Sequence, residues 1–266
     1  MSDAQVSDSW ERGNPYEEYV GRWSRRVAPR FLAWLGVAPG RRWLDVGCGT
    51  GALCAAILDH CSPSAVTGVE PSEGFLATAR GGLAGRAQLH RGSASAIPLD
   101  DGAVDVVVSG LVLNFVPDPD LALAEMSRVT GRGGTLGAYV WDYAGKMELM
   151  RLFWEVAVAL DPGAAKLDER IRFPLCRPGA LGEFFARGLA RVEATTIDIE
   201  TRFRSFDDYW RPFLGGQGPA PAYAMSLDEP ARARLRDGLR ESIPVEPDGA
   251  ISMTARALAV RGTIGG

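Results

Sequence analysis

Three glycines at alternate positions, Gly47, Gly49 and Gly51, follow a short apolar run that carries an acid, Arg42-Trp43-Leu44-Asp45-Val46. An apolar-periodic segment begins directly behind them at Ala52. This is the pattern of a buried strand, a tight turn and a helix start. Glycine there lets the backbone take a positive φ and lets a ligand come close where a Cβ would collide. A second acid, Glu70, ends the run Val66-Thr67-Gly68-Val69-Glu70, 19 positions beyond Gly51. An acid about 20 residues after a glycine turn accepts hydrogen bonds from ribose hydroxyls. Alone, the glycines make a sharp turn and Glu70 a surface carboxylate. Together they point to a ligand that carries a ribose.

The elements that must position these groups follow from periodicity. Short apolar runs over residues 87–92, 105–109 and 135–141 read as further strands, and 105–109 is nearly continuous, as in a strand with helices on both faces. Helical patterns fall at 27–35, 52–58, 72–79 (Ser72 as N-cap, Glu73 in the first turn) and 122–129. Beyond 142 come helices over 146–159, 180–187 and 229–241, and strands over 192–200 and 251–260. The expected architecture is α/β, a Rossmann-like, seven-stranded, mostly parallel sheet flanked by helices, with a helical lid from the N-terminus and C-terminal insertions. We expect a single domain over 1–266, divided into an N-terminal helical cap (1–38), a ligand-binding core (39–142), helices, strand and lid insertion (143–250) and a last strand (251–262). The segment 206–223 combines Tyr209, Trp210 and Phe213 with Gly215, Gly216 and Gly218, which predicts a mobile lid. A rigid cap whose aromatics pack in every state is the competing arrangement.

Leu44-Asp45-Val46-Gly47-Cys48-Gly49-Thr50-Gly51 closely resembles motif I of the class I S-adenosylmethionine-dependent methyltransferases. From Gly92 to Val140 the chain also resembles the type 11 branch of that superfamily, through Ile97-Pro98-Leu99, Asp105-Val106-Val107, Arg128-Val129 and Gly133-Gly134. The resemblance implies that Asp45, Gly47, Cys48, Gly49, Gly51, Glu70, Pro71 and Ser72 hold the cofactor, S-adenosylmethionine. It also implies that Ser93 and the backbone of Ala94 meet the adenine, although an acid often found near that point is absent here. Ser109, ending the fourth strand, and Leu111, opening the segment where the reacting methyl faces the substrate, are further cofactor contacts that the resemblance implies. The resemblance further implies that an arginine of the N-terminal helix meets the methionine carboxylate. Arg25 is the choice, with Arg22 and Arg26 as rivals, because a guanidinium matches a carboxylate bidentately.

Methyl transfer from a sulfonium is an in-line displacement, in which alignment alone can remove about 7–11 kcal/mol of barrier. Candidates for a catalytic role are Asn114, Asp142, Tyr143, Asp208 and Tyr209, with Trp141, Asp207, Trp210 and Arg211 beside them. Neither histidine, His60 or His90, falls where it reaches the methyl. The expected function is methyl transfer to a small-molecule acceptor. The alternatives are an NAD-dependent Rossmann oxidoreductase, which shares the strand-end acid but has longer glycine spacing, and a non-catalytic regulatory protein that binds S-adenosylmethionine.

Composition bounds the remaining classes. With 46% apolar and 23% charged residues, the chain belongs with ordinary globular proteins. A net charge of −4, with arginines scattered among acids, argues against nucleic acid as the partner. No apolar run approaches membrane-spanning length and the start of the chain lacks a signal peptide's pattern, so cytoplasmic localisation is the expectation. Cys48, Cys54 and Cys61 have no zinc-ligand spacing, and no metal site is expected.

Overall fold

The computed structural model describes residues 17–216 and 218–265. A seven-stranded sheet runs through its centre, built from β1 (Arg42–Val46), β2 (Ala65–Glu70), β3 (Gln88–Arg91), β4 (Val104–Gly110), β5 (Thr130–Trp141), β6 (Ala190–Phe203) and β7 (Ile251–Thr263). The spatial order is β3-β2-β1-β4-β5-β7-β6. Strands β1 to β5 are parallel, and β7 is antiparallel to both β5 and β6. This is the Rossmann-like, mostly parallel sheet that the sequence predicts. The order reverses between β1 and β4, which leaves a crevice outside their carboxyl ends. The glycine turn opens into that crevice.

Ten helices flank the sheet among the described residues: α1 (Arg22–Leu35), α2 (Ala52–His60), α3 (Glu73–Leu83), α4 (Pro119–Val129), α5 (Glu148–Leu160), α6 (Glu169–Arg172), α7 (Ala180–Phe185), α8 (Phe206–Trp210), α9 (Pro219–Ser226) and α10 (Glu229–Ser242). Ser72 caps α3 as expected, its Oγ accepting from the Phe75 N–H at 3.3 Å. Helix α1 presses directly on β5. A Cβ at Gly137 would lie 2.7 Å from Leu35 Cδ2, so only glycine permits this approach. Phe31 of the same helix packs at 4.8 Å from the Tyr139 ring. Arg261 of β7 donates to the carbonyls of Trp34 and Leu35 at 2.8 and 3.0 Å, satisfying the end of α1.

Three strands run further than the sequence reading. β5 begins at Thr130 rather than 135, and β6 and β7 extend to Phe203 and Thr263. Antiparallel pairing between β6 and β7 continues from Ala190↔Thr263 to Phe203↔Ile251, through positions whose alternation is too weak to read alone.

The connection between β6 and β7 is helical, with the predicted helix near 229–241 present as α10. Before it come α8, a 3-10 turn at Arg211–Gly215 and α9. Its aromatics have partners elsewhere in the chain. Phe213 stacks on Phe153 of α5 at 4.6 Å and meets Tyr19 at 5.5 Å. Tyr209 meets Phe203 at 5.4 Å, and Tyr223 meets Trp154 at 5.5 Å. Tyr209 and Phe213 are fully buried. This is the packing of a cap with its own apolar core.

Candidate functional site

The glycine turn, the end of β2 and the segment after β4 enclose a cavity of about 310 Å³. Asp45, Gly47, Cys48, Gly49, Glu70, Pro71, Ser72, Ser93, Ala94 and Leu111 line it, ten residues that the sequence had singled out. The glycines divide the work. Gly49 has φ +52 and faces the cavity, where an added Cβ would find nothing closer than 4.0 Å. Gly51 has φ +88 and begins α2, and its Cβ would crowd Leu83 of α3 at 3.1 Å, so it serves helix packing and does not line the cavity. Ser109 is also outside, because its buried Oγ donates to the Val46 carbonyl at 2.9 Å and ties β4 to β1.

Glu70 is buried at the end of β2. One carboxylate oxygen accepts from the Gly49 N–H at 3.1 Å and the other from the Ser72 N–H at 2.9 Å. These bonds fix the carboxylate against the turn, and each oxygen has a further lone pair for a ligand. Burial raises the Glu70 carboxyl above its ordinary range, opposed by the two N–H groups. Asp45 is buried as well; its Oδ2 accepts from the Cys54 thiol at 3.3 Å, and its Oδ1 has no partner. Burial pushes it up to about 7, with Glu70 adding and Cys54 opposing. A cavity-lining acid with an orphaned oxygen is suited to a cationic ligand group.

The chain after β4 shapes the opposite wall. Leu111 takes φ +64, a conformation that costs a leucine about 1–3 kcal/mol. Its N–H donates to the Tyr139 carbonyl at 2.8 Å, which holds it there. The turn directs Val112, Phe115, Val116 and Pro117 along the cavity. Ser24, Phe75, Ser95 and Tyr139 also line it and were not anticipated. Phe75 had a legible signal, being the apolar residue in the first turn of the helix that follows Glu70. Tyr139 had none, since a tyrosine in a buried strand reads as core.

Comparison with known proteins bears on the central part of the chain. Residues 44–138 match the family model described as "Methyltransferase domain". That stretch is similar to the methyltransferase domain of class I enzymes. An uncharacterised methyltransferase of Mycobacterium tuberculosis is 35% identical over 142 residues, 53% of this chain and 52% of that protein. The match therefore spans about half the length of that relative. A putative methyltransferase from Bacillus halodurans has a similar fold, with a TM-score of 0.60 at 15% identity over 90% of this chain and 99% of that one. So does phosphoethanolamine N-methyltransferase 2 of Haemonchus contortus, solved with phosphomonomethylethanolamine and S-adenosylhomocysteine. Its TM-score is 0.58 at 14% identity over 95% of this chain and 57% of that one.

The cofactor of class I methyltransferase domains is S-adenosylmethionine, and the residues here fit it. The open space beside Gly49 admits a ligand, Glu70 offers a fixed acceptor for a diol, and the orphaned Asp45 oxygen suits an ammonium. The arginine expected at the methionine carboxylate falls elsewhere. Arg25 is exposed on α1 and outside the cavity lining, which α1 reaches through Ser24. Arg22 pairs with Asp208 at 3.1 Å, with its Nε and Nη2 buried and unpartnered, and Arg26 donates to the Glu200 carbonyl.

The catalytic candidates separate from the cavity, and most have structural partners. Asp142 accepts from the N–H groups of Gly145 and Lys146 at 2.9 and 3.2 Å, closing the turn after β5. Tyr143 is buried against Phe173 at 5.9 Å. Asp208 takes the Arg22 ion pair and the Arg204 N–H, and with Asp207, Trp210 and Arg211 borders a different depression. Tyr209 donates to the Leu149 carbonyl at 3.1 Å, and burial raises its hydroxyl further from titration. Asn114 stands between Leu113 and the cavity-lining Phe115, with its Nδ2 buried and unpartnered. Among the described residues no side-chain group suits a metal ion, and no helix is long and apolar enough to cross a membrane.

Proposed function

We propose that this protein transfers a methyl group from S-adenosylmethionine to a small-molecule acceptor in the cytoplasm. The observation that carries the reading is the convergence of the Gly49 turn, the fixed Glu70 carboxylate and the unpartnered Asp45 oxygen on one cavity. Bound S-adenosylmethionine supplies an activated methyl on a sulfonium that leaves as a neutral thioether. Glu70 accepts hydrogen bonds from the ribose hydroxyls, and Asp45 faces the ammonium. Phe75 and Ala94 present apolar surface beside the Ser93 hydroxyl for the adenine ring. Phe115, Val116 and Tyr139 form the apolar wall that keeps water from the sulfonium. Catalysis in this account is positioning and exclusion of water.

The test is turnover of methyl-labelled S-adenosylmethionine with a metabolite extract. Label should move into low-molecular-weight products with wild type and not with Gly49→Val. Tight cofactor binding with no transfer to any fraction would favour the regulatory alternative.

A further inference from the structure

Beyond the cofactor cavity, two buried polar atoms without partners come from distant parts of the chain and lie within electrostatic reach of each other. They are Tyr19 Oη and Glu169 Oε1, the latter from α6. A buried polar atom left unpaired costs about 1–3 kcal/mol, so the pair calls for an explanation. Glu169 is the more costly. It is 1% exposed, its Oε2 accepts from the Trp154 indole N–H, and no ion pair among the described residues includes it. Its neighbour Arg170 is taken by Asp168.

Glu169 is linked to the cavity wall through aromatic rings. The Phe173 N–H donates to the Glu169 carbonyl at 3.1 Å, and the Phe173 ring meets Phe115, a cavity wall, at 4.9 Å. Tyr143 packs on the other side of Phe173 at 5.9 Å. Burial raises the Tyr19 hydroxyl, and Glu169 is close enough to add to it electrostatically. An unpaired carboxyl beside Trp154, Phe173, Tyr143 and Tyr19 has the components that recognise an organic cation: a counter-charge and π faces. A neutral hydroxyl compound would satisfy the hydrogen bond and use neither the charge nor the rings.

We propose that Glu169, with Tyr19, forms the polar end of the acceptor pocket, and that it binds a small molecule through an ammonium group. This rests on reading the neighbouring cavity as the cofactor site. Empty, Glu169 is pushed up to about 8 by burial, opposed by its own backbone N–H, the Trp154 indole and Arg172, with Asp168 adding, so near neutral pH it holds its proton. Pairing with an ammonium favours the carboxylate, and binding then releases that proton to the buffer.

Benzylamine, charged at neutral pH, and benzyl alcohol, its neutral counterpart, are the probes. Each is titrated by calorimetry into the protein alone and saturated with S-adenosylhomocysteine, in two buffers of different ionisation enthalpy. Benzylamine should bind wild type with release of close to one proton and bind Glu169→Gln about tenfold or more weakly. Benzyl alcohol should not distinguish the two. Tyr19→Phe, which keeps the ring, gives a second variant and should weaken benzylamine several-fold. S-adenosylhomocysteine affinity should be unchanged in both variants; its absence in wild type would remove the cofactor reading while the benzylamine result on the free protein still tests Glu169. Equal benzylamine affinity in wild type and Glu169→Gln, no binding to wild type, or binding without proton release would overturn the proposal.

Discussion

Replacing Glu70 by alanine separates ligand binding from fold maintenance, because its carboxylate serves both. In the folded chain it accepts from Gly49 at 3.1 Å and Ser72 at 2.9 Å. Losing those bonds loosens the glycine turn, yet both N–H groups border the cavity, where water can replace the carboxylate. Removing the buried acid also relieves the desolvation that raises its pKa. The expected loss of stability is therefore small, about 1–2 kcal/mol. Binding should suffer more. Hydrogen bonds from ribose hydroxyls to a charged acceptor contribute about 1.5–3 kcal/mol, which corresponds to about a ten- to hundredfold rise in Kd. Calorimetry with S-adenosylmethionine and urea denaturation on the same preparations measure the two effects. An unchanged Kd beside a clear loss of stability would show that Glu70 only braces the turn, and the ribose assignment would fail.

Asp45 sets a pH dependence. Pushed up to about 7, it becomes the carboxylate that an ammonium prefers only as pH rises through that value. S-adenosylmethionine affinity should fall by up to about tenfold per unit below pH 7 and level off above, and a flat profile between pH 6 and 8 would remove Asp45 from the ammonium. Asp45 and Glu169, at about 7 and about 8, keep protons when folded that an unfolded chain releases near about pH 4. The ligand-free protein should accordingly lose thermal stability as pH rises from about 4 through 8, the opposite of the usual carboxylate trend. Phe213→Ala should destabilise by about 3–5 kcal/mol, since the ring is fully buried against Phe153. Amides of α8 should be protected from hydrogen exchange without ligand, and fast exchange there would restore the mobile lid. Arg25→Ala should change S-adenosylmethionine affinity less than about twofold, because this exposed residue lies outside the cavity.

The cofactor half of the site was legible because its parts are local. Gly47, Gly49 and Asp45 lie within five positions, and strand-turn-helix geometry brings them to one end of the sheet with Glu70. The parallel order followed from apolar runs alternating with helical patterns. The proposed acceptor side was not legible, because it is assembled from distant segments by packing. Phe115, Phe173 and Tyr143 meet only in three dimensions, and an aromatic residue in a helix or strand carries no mark of which cavity it will face. Glu169, in a four-residue helix between two turns, gave no periodic signal at all. The acids that attracted attention, Asp142 and Asp208, are accounted for by backbone N–H groups and, for Asp208, by Arg22. Short-range hydrogen bonding of that kind looks, in a sequence, the same as chemistry.

Calorimetric titration of wild type and Gly49→Val with S-adenosylmethionine, and of wild type with NAD, bears most directly on the claim that the Gly49 cavity is a methyl-donor site. The glycine has φ +52 and faces open space, so a branched side chain intrudes on the ligand and strains the turn. Circular dichroism on the variant separates the two effects. Wild type should take up one equivalent of S-adenosylmethionine and no NAD, and folded Gly49→Val should bind at least about a hundredfold more weakly. Binding of NAD in place of S-adenosylmethionine, or equal S-adenosylmethionine affinity in the two proteins, would contradict the account.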